Sequence, residues 1–225
     1  MANNNDDDLS QFAAEGVALA DGGDEGYVEN EGARIWYAAY GAGRPVILLH
    51  GGLGHSGNWG KQVPALVEGG YRAVVIDSRG HGHSTRDARP YSYELMARDV
   101  MAVMDVLGLA QAGLVGWSDG ACTALILADR EPSRAAGVFF FACNMDPSGG
   151  REDFEFTPII QRCVSRHRPD YAGLSPTPAA FDDFSAAVGL MQSTQPNYTA
   201  EDLGRIKVPV AIVQSEHDEF IKREH

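Results

Sequence analysis

Ala112-Gly113-Leu114-Val115-Gly116-Trp117-Ser118-Asp119-Gly120-Ala121-Cys122-Thr123-Ala124-Leu125-Ile126-Leu127-Ala128 is the stretch whose reading decides the fold. Its first four residues form an apolar run that reads as a buried strand, and its last eight read as a helix. Ser118 falls between them, with Gly116 and Gly120 two positions away on either side. A serine forced into so tight a strand-to-helix turn has a strained backbone, and the flanking glycines let strand and helix approach each other. The turn lifts the hydroxyl clear of the sheet and points the next backbone N–H at the place where an oxyanion would form. Ser118 is thus the candidate nucleophile, and the N–H of Asp119 is one candidate oxyanion donor.

Upstream, Val46-Ile47-Leu48-Leu49 reads as another buried strand and runs into His50-Gly51-Gly52-Leu53-Gly54-His55-Ser56. Backbone without side chains can come close to a reacting carbonyl, so Gly52 is the candidate for the second oxyanion donor, with its neighbour Leu53 the alternative. A third strand, Ala73-Val74-Val75-Ile76, leads into Asp77-Ser78-Arg79-Gly80-His81-Gly82-His83-Ser84. In order and type these three segments resemble the α/β-hydrolase fold family, in its serine-hydrolase branch. The resemblance runs from about Gly26 to the end of the chain. It implies an α/β fold with a mostly parallel central sheet, helices on both faces and a small helical cap insertion. It also implies that Asp77, Arg79 and Ser84 lock a loop, and that His81 and His83 are turn residues rather than catalysts.

Composition agrees with one globular domain. At 225 residues, 44% of them hydrophobic, the chain can bury a sizeable single core. No apolar stretch reaches the roughly 18 residues needed to span a bilayer. The start Met1-Ala2-Asn3-Asn4-Asn5-Asp6-Asp7-Asp8 has neither the basic n-region nor the apolar core of a signal peptide, so a cytoplasmic protein is expected. The three cysteines, Cys122, Cys143 and Cys163, lack metal-ligand spacing and read as free thiols, the first two as small core residues. A formal net charge of -13 repels phosphate backbones and anionic lipid, which argues against nucleic-acid and membrane partners. Residues 1 to 25, rich in Asn, Asp, Ala and Gly, are expected to be a poorly ordered tail.

The remainder alternates strand and helix. Arg34 to Tyr40 reads as an early strand, Asn58 to Val67 as the first helix, and Tyr91 to Leu107 as an amphipathic helix with Met96, Val100, Val103 and Leu107 on its core face. The helix from Ser118 stops at Arg130, before Pro132, and Gly137 to Cys143 reads as a fully buried strand. Strands separated by helices predict a parallel sheet covered on both faces. Residues 26–145 are taken as the first part of the core, 146–204 as the cap, and 205–225 as the core resumed. A cap would shape the pocket, so Phe154, Phe156, Phe184 and Met191 are candidate substrate-binding residues, together with Leu53, Trp117 and Asn144 beside the turns.

Val208 to Val213 is the last strand in the reading, and the turn Gln214-Ser215-Glu216-His217-Asp218-Glu219 follows it. The resemblance implies a triad acid just past this strand, which Asp218 matches; Asp146, after the preceding strand, is the runner-up. It also implies a histidine after one more strand and helix, a position that none of the seven histidines fills. Lys222-Arg223-Glu224-His225 reads as the start of a helix, and the chain is read as a truncated hydrolase lacking its last strand and helix, with an exposed sheet edge open to self-association. The expected function is hydrolysis of a small-molecule ester or related carbonyl substrate through an acyl-enzyme, with no metal or organic cofactor implied. The competing class is a non-catalytic binding or interaction protein on the same scaffold. Gly-Trp-Ser-Asp-Gly also resembles family members acting on amino-acid esters, which leaves open whether the Asp119 side chain recognises substrate or merely faces a neighbouring loop.

Overall fold

The computed structural model describes residues 7–19 and 21–225. Seven strands form one sheet in the order β1-β2-β4-β3-β5-β6-β7. β1 (Asp24–Asn30) and β2 (Ala33–Tyr40) make an antiparallel hairpin, and its two-residue turn, Glu31 and Gly32, carries positive φ at both positions (43° and 81°), matching the twist of the strands it joins. β2 is antiparallel to β4 (Tyr71–Ile76). From there β3 (Arg44–Leu49), β5 (Ala112–Trp117), β6 (Ala135–Phe141) and β7 (Val210–Val213) all run parallel. Their carboxyl ends consequently share one rim.

Alternation along the strands splits the apolar residues into two layers. Ile47, Leu49, Val74, Ile76, Leu114, Val138 and Phe140 face the larger core, beneath α3 (Tyr93–Val106) and α4 (Asp119–Arg130). α3 begins two residues later than the periodicity predicts because Ser92 caps it, its side chain accepting from the N–H of Leu95. On the opposite face Leu48, Ala73 and Val75 pack with Trp36, Tyr40, Trp59 and Val63. Here the expected first helix is a short 3₁₀ turn at Ser56–Trp59 followed by α2 (Gln62–Glu68).

That second layer covers only part of its face. Beyond it lies an open trough of about 500 Å³ lined by Val46, Val115, Gly137, Phe139, Pro209 and Ala211, among others. The strand expected to be fully buried therefore shows Phe139 40% exposed, and Ile212 on β7 is 78% exposed. A run of phenylalanines reads as two-sided burial, but only one side meets a helix here.

Between β6 and β7 the chain forms α5 (Pro158–Val164), α6 (His167–Leu174), α7 (Phe181–Thr194) and α8 (Ala200–Arg205), with short 3₁₀ turns before α5 and between α6 and α7. Near the amino end, α1 (Asp7–Glu15) packs on α5, where a poorly ordered tail is expected from composition. Leu9, Phe12 and Ala13 are partly buried there, at helical spacing that supplies a contact stripe. Residues 1–6 of that expected tail lie outside the described residues. Lys222 to His225 forms a turn rather than a helix start, with the His225 N–H on the Lys222 carbonyl. Among the described residues no helix is long and apolar enough to cross a membrane.

Candidate active site

β5 lies between β3 and β6 and delivers Ser118 at the carboxyl rim. Ser118 has φ 53° and ψ −125°, a backbone state rarely occupied by a side-chain-bearing residue. It is held there from both directions: its N–H donates to the Phe141 carbonyl at 2.9 Å, and its carbonyl accepts from Ala121 at 2.7 Å. The glycine spacing has a direct cause in packing. A Cβ on Gly116 would overlap the Gly120 carbonyl, and one on Gly120 would overlap the Leu49 carbonyl, so strand, turn and helix fit only with both left bare. The hydroxyl-bearing residue is itself partly exposed and stands at the N-terminus of α4.

The turn after β3 lies against this elbow. A Cβ built on Gly51 would be 3.1 Å from Ser118 Cβ, and one on Gly52 would be 2.6 Å from Asp119 Oδ2. The turn is held by His50, whose buried ring donates from Nδ1 to the Gly51 carbonyl (2.7 Å) and accepts at Nε2 from the Ser78 N–H (3.0 Å). Burial lowers the pKa of this imidazole, which suits its role as a neutral brace. The loop after β4 locks in turn. Asp77 accepts from the N–H groups of Ser56 (2.7 Å) and His83 (2.8 Å) and from the His83 ring (2.8 Å). Burial alone pushes the Asp77 carboxyl up, but the His83 ring, nearby His50 and these N–H groups together draw it down to about 2. Ser84 Oγ donates to the Asp77 carbonyl, and Arg79, fully buried, pairs with Asp99 at 2.7 Å. His81 is buried as well, its Nδ1 on the Arg79 carbonyl, and burial lowers its pKa to about 3.

The Asp119 side chain turns away from solvent into a pocket of its own. It is 6% exposed and accepts from Tyr93 Oη at 3.0 Å and from Gln192 Nε2, 3.1 Å from each oxygen. Neither partner is charged, so burial raises its pKa to about 6 against the pull of both hydrogen bonds. Tyr93 starts α3 and Gln192 lies on α7, so this carboxyl ties the elbow to the helical insert. Neither partner is visible in the sequence reading, because Gln192 is 73 residues away and no spacing rule connects them.

Both acid candidates sit on the same rim, since Trp117 pairs with Phe141 and Phe141 with Val213 across the parallel strands. Asp218 Oδ1 accepts from the N–H groups of Phe220 (2.9 Å) and Ile221 (2.8 Å), which fixes one oxygen and leaves the other available. Asp146 is taken up by the turn it begins: Oδ1 accepts from the Ser148 N–H at 2.9 Å, and Ser148 holds the carboxyl below its ordinary range. Among the described residues no histidine ring hydrogen-bonds Ser118 or Asp218; His50, His81 and His83 brace loops, and His55 faces Asp170 at 3.5 Å. The His225 ring packs beside Gly149.

The candidate pocket residues separate. Phe184 and Met191 are core residues, 1% and 2% exposed, and Phe184 packs on Tyr171, His81 and Tyr91 instead of lining a cleft. Phe154 stacks on Phe220 at 4.5 Å, while Phe156 is 59% exposed. Trp117 packs against the smaller apolar layer, as strand alternation demands for a residue next to Ser118. Asn144 Nδ2 donates to the Asp146 carbonyl, and Leu53, partly buried at φ 61°, lies in the glycine turn after β3.

A sheet with this strand order, a strained serine between β5 and α4, and a glycine turn after β3 define a hydrolase scaffold. The alpha/beta hydrolase fold family model matches residues 44–158, just over half the chain, and the chain belongs to that family. A non-heme chloroperoxidase of Kitasatospora aureofaciens is 38% identical over 90 residues, which cover 40% of this chain and 33% of that protein. Epoxide hydrolase B of Mycobacterium tuberculosis is 42% identical over 95 residues, 41% of this chain and 27% of that one. The chain thus spans about a third of the length of the curated relatives it matches. Among solved structures, Est816, described as an N-acyl homoserine lactone degrading enzyme, superposes with a TM-score of 0.64 at 26% identity, covering 85% of this chain and 82% of that one.

Proposed function

We propose that this chain carries the nucleophile of a serine hydrolase that cleaves an ester or related carbonyl substrate through an acyl-enzyme. The observation that carries the reading is Ser118 itself, a partly exposed serine held at φ 53° by hydrogen bonds to Phe141 and Ala121, with glycine backbone packed against it. In this reading Ser118 Oγ adds to the carbonyl, the N–H groups of Asp119 and Gly52 hold the oxyanion, and collapse expels the alcohol. Water then attacks the acyl carbon and regenerates the serine. Asp218 orients and charge-balances the imidazole that moves the proton. The likeness to Est816, described as degrading N-acyl homoserine lactones, supports a carbonyl substrate. A serine, rather than a carboxylate, at the elbow separates the chain from the alkyl-enzyme chemistry of epoxide hydrolases.

A second reading, a binding protein on the hydrolase scaffold, is favoured by one observation: no imidazole among the described residues contacts Ser118 Oγ. Loss of a triad member leaves only about 10³ to 10⁴-fold rate enhancement over water. The two readings part on labelling with a fluorophosphonate, applied to the 225-residue chain and to versions extended at the carboxyl end. Labelling that maps to Ser118 and vanishes in Ser118→Ala supports the hydrolase. Labelling that survives the substitution refutes Ser118, and no labelling in any version favours the binding protein.

A further inference from the structure

Behind the elbow, two thiols meet. Cys122 lies in the first turn of α4, its N–H on the Ser118 carbonyl at 3.3 Å, and Cys143 follows the end of β6. Their sulfurs are 3.0 Å apart, and each approaches the Asn144 carbonyl, at 3.2 Å from Cys122 and 3.6 Å from Cys143. Both are free.

The meeting depends on a break in strand alternation. Val138 and Phe140 turn toward α4, while Phe139 and Phe141 turn the other way with their rings 6.5 Å apart. Continued alternation would send residue 143 to the side of Phe139, away from α4. Ala142 interrupts it with φ 52°, an unfavourable state for a residue with a Cβ, and its N–H is fixed on the Val213 carbonyl at 3.0 Å. The kink returns Cys143 to the larger core, where it faces Cys122. Two sulfurs at 3.0 Å are closer than ordinary van der Waals contact and stand about 1 Å from the roughly 2.05 Å of a covalent bond.

We propose that Cys122 and Cys143 form a redox modification site, a dithiol that a peroxide converts to an intramolecular disulfide behind Ser118. Cys143 is partly exposed and is the sulfur a peroxide can reach, whereas Cys122 is buried. The Cys143 thiolate attacks one peroxide oxygen and breaks the O–O bond, giving a sulfenic acid and hydroxide from hydrogen peroxide. The Cys122 sulfur then displaces the sulfenic oxygen, which leaves as water with the thiol proton. In all, two thiols are oxidised, one peroxide is reduced, and two waters are released. Burial raises the Cys122 pKa, consistent with its acting second, after its partner has been activated. The site stands independently of whether Ser118 is a nucleophile. Because the Cys122 backbone N–H donates to the Ser118 carbonyl, oxidation at this residue would bear on the elbow.

The test uses the whole reduced chain, exposed to a small excess of hydrogen peroxide at neutral pH, blocked with N-ethylmaleimide and mapped by mass spectrometry. The expected result is a fall in maleimide uptake from three thiols to Cys163 alone. A peptide joining Cys122 to Cys143 should appear, reversible by dithiothreitol. Cys122→Ala should leave a sulfenic acid at Cys143 that dimedone traps, and Cys143→Ala should leave Cys122 reduced at the same dose. Over-oxidation of Cys143 without a cross-link, a bond through Cys163, or three unreacted thiols would each overturn the proposal. Should the variants fail to fold, the native chain is compared with the guanidinium-unfolded one. The Cys122–Cys143 link alone in the native chain, against mixed links in the unfolded, supports the site, and the same mixture in both refutes it.

Discussion

The two ends of the candidate site are built in opposite ways. The elbow is enclosed: β5 has a strand on either side, α4 lies over it, and every position around Ser118 is set by contacts that leave no room for a Cβ at Gly116 or Gly120. The acid end is open: among the described residues β7 pairs with β6 alone, Ile212 is 78% exposed, and Asp218 is held by N–H groups of its own turn. The difference teaches that the candidate nucleophile is fixed by the core, whereas the candidate acid is fixed by a local loop on a thin strand. Substitutions should therefore cost stability at the elbow and leave stability almost unchanged at the acid.

The widest gap is expected between two glycines. Gly120→Ala puts a methyl group into the carbonyls of Leu49 and His50, backbone atoms that can yield only if strand and helix separate. A loss of more than about 4 kcal/mol is expected, enough to leave little folded protein. Gly204 lies in α8 with nothing within 4 Å of an added Cβ, so Gly204→Ala should stabilise by about 0.5 to 1 kcal/mol through helix propensity. Urea unfolding of both variants checks the contrast, and a folded Gly120→Ala at near-native stability would remove the packing account of the elbow.

This contrast also governs what the sequence could reveal. The elbow, the glycine turn after β3 and the loop after β4 are short stretches whose residue types answer local geometric demands, so the strained turn at Ser118 and the loop-locking Asp77 and Arg79 can be read directly. Elements that depend on distant partners could not be read in this way. Gln192 reaches Asp119 across 73 residues, and the kink at Ala142 occurs without the glycine that would signal it. Phe184 and Met191 look like pocket walls from their place in an apolar helix, but burial among Tyr171, Tyr91 and His81 makes them core. The uncovered face at Phe139 and Ile212 is equally silent, since an apolar strand reads the same whether or not something lies over it.

Acidity offers a second handle on the elbow, through Asp119. Asp119 sits in the native protein at about 6, above the ordinary 3.8, because burial disfavours its charged form. Between those values the native state binds more protons than the unfolded state, so stability should fall as pH rises from about 4 to about 6, by about 3 kcal/mol for this group. Asp119→Asn removes the titration while keeping an oxygen for Tyr93. Its unfolding free energy minus that of the wild type should therefore climb across this window and level off above it. A flat difference would show that Asp119 is solvated and would undo its placement between the elbow and α7.

Next in size is the comparison of Asp77 with Asp218. Asp77→Asn replaces one of two buried acceptor oxygens with a donor facing N–H groups or the His83 ring, and should cost about 2 kcal/mol. Asp218→Asn retains the oxygen that accepts from Phe220 and Ile221, so its thermal midpoint should barely move. In a form that turns over, the same change should lower kcat by about 10⁴-fold, as for an amide that holds histidine in the wrong tautomer. Loss of turnover in Asp146→Asn instead, with Asp218→Asn active, would transfer the acid to the end of β6.

The smallest effect on stability is expected at the edge of β7, where it says most about the open end. Ile47 on β3 is fully buried, and Ile47→Ala should cost about 2 to 5 kcal/mol through lost burial and a residual cavity. Ile212 is the same residue type on a strand of the same sheet, but at 78% exposure it has little burial to lose, so Ile212→Lys should stay within about 0.5 kcal/mol of wild type. What should change is association. A strand with one neighbour offers unpaired N–H and C=O groups, and the apolar trough beside it supplies surface that water does not stabilise. A lysine there opposes edge-to-edge pairing by charge and desolvation. Sedimentation velocity over a concentration series should show the wild type shifting to larger species and Ile212→Lys remaining monomeric at the same concentrations. Equal sedimentation of both would mean that the β7 edge does not drive association, while a large destabilisation by the lysine would mean that something covers Ile212 in solution.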